Sequence, residues 1–424
     1  DGMGNYMDED YHECATRWNI KRPCEVRLLE QQGTVRYDSA RLWNLIHHGS
    51  WPMGIGMAYA SIAQYLGFGS LGSGKVMGLA PYGKEDENIK PFVLDNGMVN
   101  SKLFYRTEDG ANFIPYDYLP EKWDYRVWDN NTQKIANLTY RLQKDFEKWM
   151  TDFILRCESK NIVLTGGCAL NVSANGKIRN LNNIDEIIIP PAPHDAGCAI
   201  GAAICSIKKE INFERIRSPY LGRNFSQEEI FRELLNYCKT KPIRLKESLI
   251  LEKTVNFLIK GKLIAWFQGG AEFGPRALGS RSFLADPRND EIRDEINQKI
   301  KKRELFRPFA PSTLNTVSSD FFNIDQESPY MNIVANVKTK NIPAVTHIDK
   351  TARVHTISKN MHKRYYKLIE HFGKITGIPV LLNTSFNVQE PIVYSPKDAI
   401  HTFVNSKVDI LVIGDFLITR EDIK

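Results

Sequence analysis

Short apolar runs alternate with turns and amphipathic stretches in the first half of the chain, and this alternation constrains the fold more than any other feature. Residues 161–165 form an apolar run, a Gly-Gly turn follows, and residues 171–180 have helical periodicity. The pattern repeats with a strand predicted at 184–189, a proline-rich loop, and a helix at 196–208. Such alternation predicts an α/β fold in which ligands bind at the carboxyl ends of strands. The same periodicities predict helices at 132–158, 249–259 and 363–376, and strands at 263–267, 380–382 and 410–413.

The length of the chain predicts more than one domain. A sequence of 424 residues is long enough for two or three domains with sizeable cores. Residues 212–227 have little periodicity and contain proline, glycine and polar residues, which is typical of a boundary. We therefore expect a first domain at 1–218, a linker at 219–239 and a second domain at 240–424.

Composition excludes several classes of function. A net charge of +6 is mild for this length, so it suits anionic small molecules better than a nucleic acid, which favours a dense basic stripe. No run approaches 18 apolar residues, so no membrane partner is expected. The seven cysteines are scattered without a C-x-x-C pair, which indicates reduced thiols in a cytoplasmic protein and no structural zinc.

A glycine-rich segment at 269–282 carries the strongest functional signal. It follows the apolar run at 263–267, and its four glycines let the backbone turn tightly and approach a ligand. Arg276 and Arg281 stand five residues apart and can offer planar forks to phosphate or carboxylate oxygens. A second basic segment follows at 301–311. Acidic residues interleave this second segment, so a solvated basic helix is an alternative for it alone, but the pair favours an anion site.

Residues 69–76 nearly spell a phosphate-binding P-loop, G-x-x-x-x-G-K-[S/T]. The last position is Val76, which has no hydroxyl to bind Mg²⁺. The residues before the motif have helical periodicity, whereas a P-loop follows a strand. We therefore exclude a P-loop. Lys75 stays a candidate nucleotide contact, with a solvated loop lysine as the alternative.

These segments resemble the carbamoyltransferase family that includes nodulation-factor and antibiotic O-carbamoyltransferases. Family members carry a further N-terminal segment with a His-rich metal motif, whereas this chain begins at Asp1-Gly2-Met3-Gly4, which resembles an interior phosphate turn. The resemblance implies an actin-like (ASKHA) carbamoyl-transfer domain that lacks its N-terminal part, followed by a YrdC-like α/β domain. In chain order, the matching motifs lie at 74–83, 164–171, 190–197, 269–282, 301–311, 346–353 and 377–387.

In the first domain the resemblance implies a nucleotide site and a metal site. Backbone N–H groups in glycine turns can cradle phosphate oxygens. The family's metal, typically Fe²⁺, is held by two histidines and two aspartates, and only the aspartates map onto this chain. Asp195 has an alternative role as the N-cap of the helix that follows it. The expected residues are Gly2, Gly4, Gly166, Gly167 and Asn171 for the nucleotide, and Asp1 and Asp195 for the metal.

In the second domain the resemblance implies a site for ATP, with Mg²⁺, and carbamoyl phosphate. Two polyanions side by side require several fixed cations. The implied reaction forms carbamoyladenylate and transfers its carbamoyl group to a hydroxyl-bearing metabolite, with a homodimer as a candidate assembly. Threonylcarbamoyl transfer to tRNA and a non-catalytic nucleotide-binding accessory role stay open as alternatives. The expected residues are Arg276, Lys301, Arg307, Arg353 and Ser385 for catalysis and Asn383 for the nucleotide.

Overall fold

The computed structural model divides into two compact units, Asp1–Ile187 and Ile188–Lys424. The division precedes the predicted linker at 219–239 because the chain from Ile188 onward packs on the second half. For example, the side-chain amide of Asn332 donates to the carbonyl oxygens of Ile189 and Pro190, both at 3.1 Å. The predicted domain boundary stays a prediction. The structure describes residues 11–21, 25–35, 54–69, 71–106, 113–115, 128–206 and 218–424.

The described part of the first unit contains four α-helices and three two-stranded sheets. The long helix α3 begins where Asp129 accepts a hydrogen bond from the backbone N–H of Thr132 at 2.8 Å, a typical N-cap. The pairs are β1–β2, β3–β4 and β5–β6. The elements are α1 (Ile55–Tyr65), α2 (Ser73–Leu79), α3 (Asn130–Leu155), α4 (Val172–Arg179), β1 (Tyr11–Lys21), β2 (Glu25–Val35), β3 (Phe104–Arg106), β4 (Phe113–Pro115), β5 (Asn161–Val163) and β6 (Glu186–Ile188), whose last residue reaches the second unit.

The second unit is built on an eight-stranded mixed sheet in the order β10-β11-β9-β12-β8-β7-β13-β14. This architecture confirms the predicted α/β class. The strands are β7 (Ile264–Phe267), β8 (Arg281–Ala285), β9 (Ala310–Leu314), β10 (Ile333–Asn336), β11 (Thr351–Ile357), β12 (Val380–Ser385), β13 (Ile410–Ile413) and β14 (Phe416–Thr419). The helices are α5 (Cys198–Ser206), α6 (Gln227–Tyr237), α7 (Glu247–Ile259), α8 (Glu291–Glu295), α9 (Ser318–Phe321), α10 (Lys363–Thr376) and α11 (Pro396–Asn405).

The core of the second unit lies where α7 and α10 cover the centre of the sheet. Both helices place apolar side chains at three- and four-residue spacing, and these side chains meet fully buried residues of β7, β12 and β13. Trp266 on β7 and Phe372 on α10 are completely buried. Each such side chain contributes about 1.5–3 kcal/mol when it leaves water, so the sheet is a firm platform for the loops at its ends.

The structure confirms most of the predicted elements and adds three details. A further strand, β14, follows the predicted strand at 410–413, and Gly414 turns the chain between them with a φ of +54°. The helix predicted at 196–208 corresponds to α5, which begins at Cys198, and a 3-10 turn at Asp195–Gly197 precedes it. The segment predicted as a linker contains α6. No helix in the described ranges is long and apolar enough to cross a membrane.

Candidate functional site

The loop between β7 and β8 is folded around one carboxylate. Oε1 of Glu272 accepts hydrogen bonds from the backbone N–H groups of Leu278 at 2.8 Å, Ser280 at 2.7 Å and Arg281 at 3.1 Å. Hydrogen bonds to an ionised carboxylate are roughly twice as strong as neutral ones. Glu272 therefore closes the loop and fixes the backbone on both sides of the segment that carries Arg276.

Two glycines of this loop are required by geometry. Gly274 has a φ of +112° and Gly279 a φ of +97°, which lie in the left-handed region that side chains disfavour. A Cβ atom on Gly274 would lie 2.2 Å from the carbonyl oxygen of Pro191, and one on Gly279 would lie 2.1 Å from the ring of Tyr365. The glycines therefore allow the loop to pack closely against its neighbours, which holds Arg276 in place.

Four partly buried arginines form a cationic group, which we call the arginine cluster: Arg276, Arg303, Arg307 and Arg353. Burial, with a contribution from Arg307, lowers the pKa of Arg276 to about 10 and that of Arg303 to about 9. Burial and the other three arginines also lower the pKa of Arg353 well below its usual value. Among the described residues, Glu304 alone forms a salt bridge with the cluster, at 3.6 Å from Arg307. The cluster therefore holds an excess of positive charge that is partly shielded from water.

Two donors of the arginine cluster have no partner in the part of the chain that the structure describes. The Nε atoms of Arg276 and Arg353 are buried, and no group in the described part of the chain accepts a hydrogen bond from them. A buried donor without a partner costs about 1–3 kcal/mol. An anion with several acceptor oxygens would satisfy these donors and neutralise the excess charge, so the cluster has the chemistry of a phosphate site.

Lys301 is held differently from the arginines. The π-helical turn Ile296–Ile300 ends with a hydrogen bond from the Lys301 N–H to the Ile296 carbonyl at 2.8 Å. The buried ammonium of Lys301 then lies within 2.5–3.1 Å of four oxygens of Ser385 and Asn387. Burial, with Arg303 and Arg307, lowers its pKa. Lys301 thus ties the end of β12 to the arginine cluster, and protein oxygens engage all three of its N–H groups.

Arg281 does not offer the open fork that its sequence position favours. Its guanidinium donates to the carbonyl oxygens of Gln268 at 3.1 Å and Gly269 at 3.0 Å, and it lies 3.5 Å from the centre of the Phe267 ring. The side chain is completely buried. Arg281 therefore supports the start of the loop, and Arg276 is the arginine of this segment that faces the cluster.

In the first unit the expected nucleotide residues lie at tight turns. Gly166 has a φ of +92° and precedes the 3-10 turn Gly167–Leu170. Asn171 caps α4 by accepting from Ala174 at 3.1 Å, and its amide also pairs with Gln143. Lys75 lies in α2, and α1 precedes that motif, as expected for a segment that is not a P-loop. Asp1, Gly2 and Gly4 lie outside the described residues.

Asp195 is exposed and begins the 3-10 turn Asp195–Gly197. The N-cap position belongs to His194, whose side chain forms no capping hydrogen bond, so the capping role considered for Asp195 is wrong. The described residues contain no group of three or more His, Cys, Asp or Glu side chains arranged to hold a metal. Asp195 is therefore the single expected metal ligand that the structure describes, and it does not by itself make a metal site.

Sequence reasoning missed three residues that shape this site. Arg303 stands two residues after Lys301, but Glu304 next to it made the segment resemble a solvated helix. Asn387 carries two of the oxygens that hold Lys301. Glu272 has no motif of its own, although a carboxylate between glycines is a plausible acceptor for neighbouring N–H groups. A count of basic residues within the matched segment at 301–311 could have found Arg303.

Comparisons with known proteins agree with the resemblance seen in the sequence. The family model described as "Carbamoyltransferase N-terminus" matches residues 31–204, and "Carbamoyltransferase C-terminus" matches residues 255–420. Nodulation protein NolO of Bradyrhizobium diazoefficiens is 35% identical over 408 residues, which cover 90% of this chain and 71% of NolO. Nodulation protein NolNO of Sinorhizobium fredii is 36% identical over 394 residues, which cover 86% of this chain. The chain spans 55% of the length of NolNO.

A search of solved structures found a crystal structure of full-length HypF in a phosphate- and nucleotide-bound form. The match covers 41% of this chain and 21% of HypF, at 18% identity and a TM-score of 0.28. A likeness at this level carries no argument about the fold or the site.

Proposed function

Because this chain belongs to the carbamoyltransferase family, we propose that it catalyses ATP-dependent transfer of a carbamoyl group from carbamoyl phosphate to a hydroxyl group of a small-molecule acceptor. The observation that carries the proposal is the arginine cluster, a set of partly buried cations in which two buried Nε donors have no partner among the described residues. ATP and carbamoyl phosphate are both polyanions, and binding them side by side requires such a set. The actin-like and YrdC-like assignments of the two domains are part of this proposal.

The first step would take place at the arginine cluster. Water cleaves carbamoyl phosphate to carbamate and phosphate, and a carbamate oxygen then attacks the α-phosphorus of ATP. Pyrophosphate leaves, and carbamoyladenylate remains. Fixed guanidinium groups stabilise the negative charge that builds on the phosphoryl oxygens, and they need no reorganisation as the reaction proceeds. The protonated state of Arg276 supports this role, because a pKa of about 10 leaves the group charged at pH 7.

The second step would transfer the carbamoyl group. The oxygen of the acceptor hydroxyl attacks the carbamoyl carbon and its proton is released. The bond between that carbon and the bridging oxygen breaks, and AMP leaves with the bridging oxygen. In this proposal the glycine turn at Gly166 and Gly167 binds the nucleotide through backbone N–H groups. The family implies a divalent metal, and its chemistry would be to polarise the carbamoyl carbonyl. The described residues contribute Asp195 alone to such a site, so no step here is derived through a metal.

The test is a single-turnover assay with the full chain. Radiolabelled carbamoyl phosphate and ATP should release pyrophosphate only when both are present, and labelled carbamoyl product should form when hydroxylated metabolites are screened as acceptors. Arg353→Met should abolish carbamoyl-phosphate-dependent pyrophosphate release, because it removes one cation of the arginine cluster. Tight ATP binding without any turnover in the presence of carbamoyl phosphate and the acceptor panel would point to a non-catalytic accessory role and overturn the proposal.

A further inference from the structure

The turn at residues 328–332, just before β10, contains a buried residue in a strained conformation. Met331 is 2% exposed and has a φ of +59°, in the left-handed region that residues with a Cβ atom disfavour. Such a conformation persists only where the surrounding structure imposes it, and such positions cluster at functional sites. The side chain of Met331 packs with Leu278 and Ala310, so the turn contacts the loop between β7 and β8.

The next residue, Asn332, reaches the segment Pro-Pro-Ala-Pro at residues 190–193, which we call the proline loop. Asn332 is 4% exposed, and its Nδ2 atom donates to the carbonyl oxygens of Ile189 and Pro190, both at 3.1 Å. Three of the four residues of the proline loop are prolines, which lack a backbone N–H, so the loop depends on donors from elsewhere. Asn332 therefore anchors the start of the proline loop.

The proline loop contacts two segments of the proposed site. A Cβ atom on Gly274 would lie 2.2 Å from the carbonyl oxygen of Pro191, so the loop between β7 and β8 packs directly on the proline loop. A Cβ atom on Gly197 would lie 2.4 Å from the carbonyl oxygen of Ala192, so the turn Asp195–Gly197 folds back onto it as well. The proline loop thus links the loop between β7 and β8 to this turn.

The two linked segments differ in how else they are held. The loop between β7 and β8 has its own brace, since Glu272 accepts three backbone hydrogen bonds and the N–H of Phe273 donates to the carbonyl oxygen of Pro219 at 2.6 Å. Among the described residues, the turn Asp195–Gly197 has no side-chain cap, and Asp195 is exposed. Loss of the anchor at the proline loop should therefore displace this turn far more than it displaces the braced loop.

These contacts cross from one family model to the other. The proline loop and Asp195 lie in the part of the chain that matches the N-terminal model, whereas Asn332 lies in the part that matches the C-terminal model. We propose that Asn332 is a positioning residue for carbamoyl transfer, which acts by anchoring the proline loop that holds the turn of Asp195. The inference rests on the proposed function and separates its two steps. Removal of the anchor slows the transfer and leaves carbamoyladenylate formation largely intact.

Single-turnover assays on the full chain measure the two steps. Asn332→Leu keeps a side chain of similar size and removes the donors to the proline loop. Pyrophosphate release should stay within about threefold of the wild type, while labelled carbamoyl product, formed with the best acceptor of the metabolite screen, should appear at least about tenfold more slowly. Asn332→Ser leaves room for a water molecule at the carbonyl oxygens, so it should show the same split with a smaller loss, including where the Leu variant does not fold. A residue that only stabilises the fold would change both steps together.

Hydrogen exchange followed by mass spectrometry tests the anchor without an acceptor. In the wild type the N–H of Gly197 donates to the carbonyl oxygen of His194 at 2.8 Å, which protects it. In the Asn332 variants the amides of residues 194–197 should exchange at least about fivefold faster, and those of residues 276–280 should stay within about twofold of the wild type.

Thr313→Val is the matched control. Thr313 is also completely buried, and its hydroxyl donates to the carbonyl oxygen of Pro379 at 2.9 Å, at the end of β12 opposite Ser385. Its loss should lower stability without altering the ratio of the two steps or the exchange of residues 194–197.

Three results would overturn the inference: equal slowing of both steps in the Asn332 variants, an unchanged rate of transfer, or unchanged exchange at residues 194–197. A wild type that neither releases pyrophosphate nor forms a carbamoyl product would instead contradict the proposed function. The exchange measurement still decides in that case whether Asn332 holds the turn of Asp195.

Discussion

Arg276 owes its expected importance to the way its backbone is held. Pro275 fixes the backbone before it, and Asn383 holds the carbonyl oxygen of Ala277 after it. The side chain is therefore aimed before any ligand arrives. Arg276→Lys keeps the charge but loses the planar fork, and we expect it to slow single-turnover carbamoyladenylate formation by about 1.5–3 kcal/mol, or roughly 10- to 150-fold.

Arg288→Lys is the control for this substitution. The guanidinium of Arg288 is already paired with Asp286, through Nε to Oδ1 at 2.9 Å and Nη2 to Oδ2 at 2.6 Å. The change therefore alters a fork that Asp286 already occupies, and the rate should stay within about 0.5 kcal/mol of the wild type. Equal rates for the two variants would show that the loop between β7 and β8 is not the anion site.

The arginine cluster also predicts a pH dependence of ATP binding. Burial and Arg307 lower the pKa of Arg303 to about 9 in the free protein. A bound anion favours the charged form and raises that pKa, so binding takes up a proton above pH 9. Affinity for ATP should be flat between pH 7.5 and 8.5, within about twofold, and should then fall by up to about tenfold per pH unit. Calorimetric titration across this range measures it. Arg303→Met should bind more weakly and lose the first part of the fall.

At the scale of residues, the sequence predicts which side chains belong to the site better than it predicts their hydrogen-bond partners. Arg276 and Arg353 could be named from the sequence because each stands in a segment that resembles a motif of the family. The structural role of Arg281 could not be predicted in this way. The carbonyl oxygens of Gln268 and Gly269 accept hydrogen bonds from its guanidinium, and backbone carbonyls have no sequence signature. For the same reason the sequence could place Lys301 near the cluster but could not show that four oxygens already hold it.

At the scale of elements, the loop between β7 and β8 depends on Glu272. All three N–H groups donate to one oxygen, Oε1. Glu272→Gln keeps an oxygen at that position and should retain most of the stability and of the affinity for carbamoyl phosphate. Glu272→Leu leaves the donors without that acceptor, and we expect it to lower the free energy of unfolding by about 1–3 kcal/mol and to weaken binding. Denaturant titration and calorimetry give the two quantities. If the two variants have the same free energy of unfolding and the same affinity, the loop does not depend on the hydrogen bonds to Glu272.

The turn after the π-helical segment contains a strained residue. Lys302 is exposed and has a φ of +46°, in the left-handed region. Lys302→Gly should remove strain and raise the free energy of unfolding by up to about 1 kcal/mol. Lys299→Gly, three residues earlier in the helical segment Ile296–Ile300, should lower it by about 1 kcal/mol because glycine is a poor helix former. Urea unfolding of both variants measures the contrast. A loss of stability in the first variant would mean that the turn carries no strain.

The elements that the sequence predicted well are those with long periodic patterns. α3 and α10 have strong apolar faces, and β7 is a continuous apolar run, so their existence did not depend on distant contacts. α6 was missed although its start carries a complete capping box, in which Ser226 and Glu229 bond each other's backbone. Residues 212–225, which precede α6, lack periodicity, and for that reason the whole stretch was predicted to be a linker. Strand order in the large sheet follows from tertiary packing, which local patterns do not contain.

At the scale of the whole molecule, the stretch from Pro219 to Lys239 behaves as part of the second unit. The backbone of Gly222 donates to the carbonyl of Ala271 at 3.0 Å, and the hydroxyl of Tyr220 donates to the carbonyl of Leu278 at 2.8 Å, so this stretch supports the loop that carries Arg276. Further along, the side-chain oxygen of Gln227 accepts from the backbone of Asp415 at 2.8 Å. In α6 the side chains of Ile230 and Leu234 are buried.

These contacts make a prediction about fragments that also tests the boundary at 219–239. Residues 188–424 should fold alone and bind ATP, because they contain both the sheet and the stretch that supports its loop. Residues 240–424 lose two buried side chains of α6, each worth about 1.5–3 kcal/mol, together with the hydrogen bonds to Ala271 and Leu278. We expect this shorter fragment to melt at least about 5 °C lower and to bind ATP at least about tenfold more weakly. Thermal unfolding followed by calorimetry compares them. Equal melting temperatures and affinities would mean that 219–239 is a true linker and that the anion site stands without it.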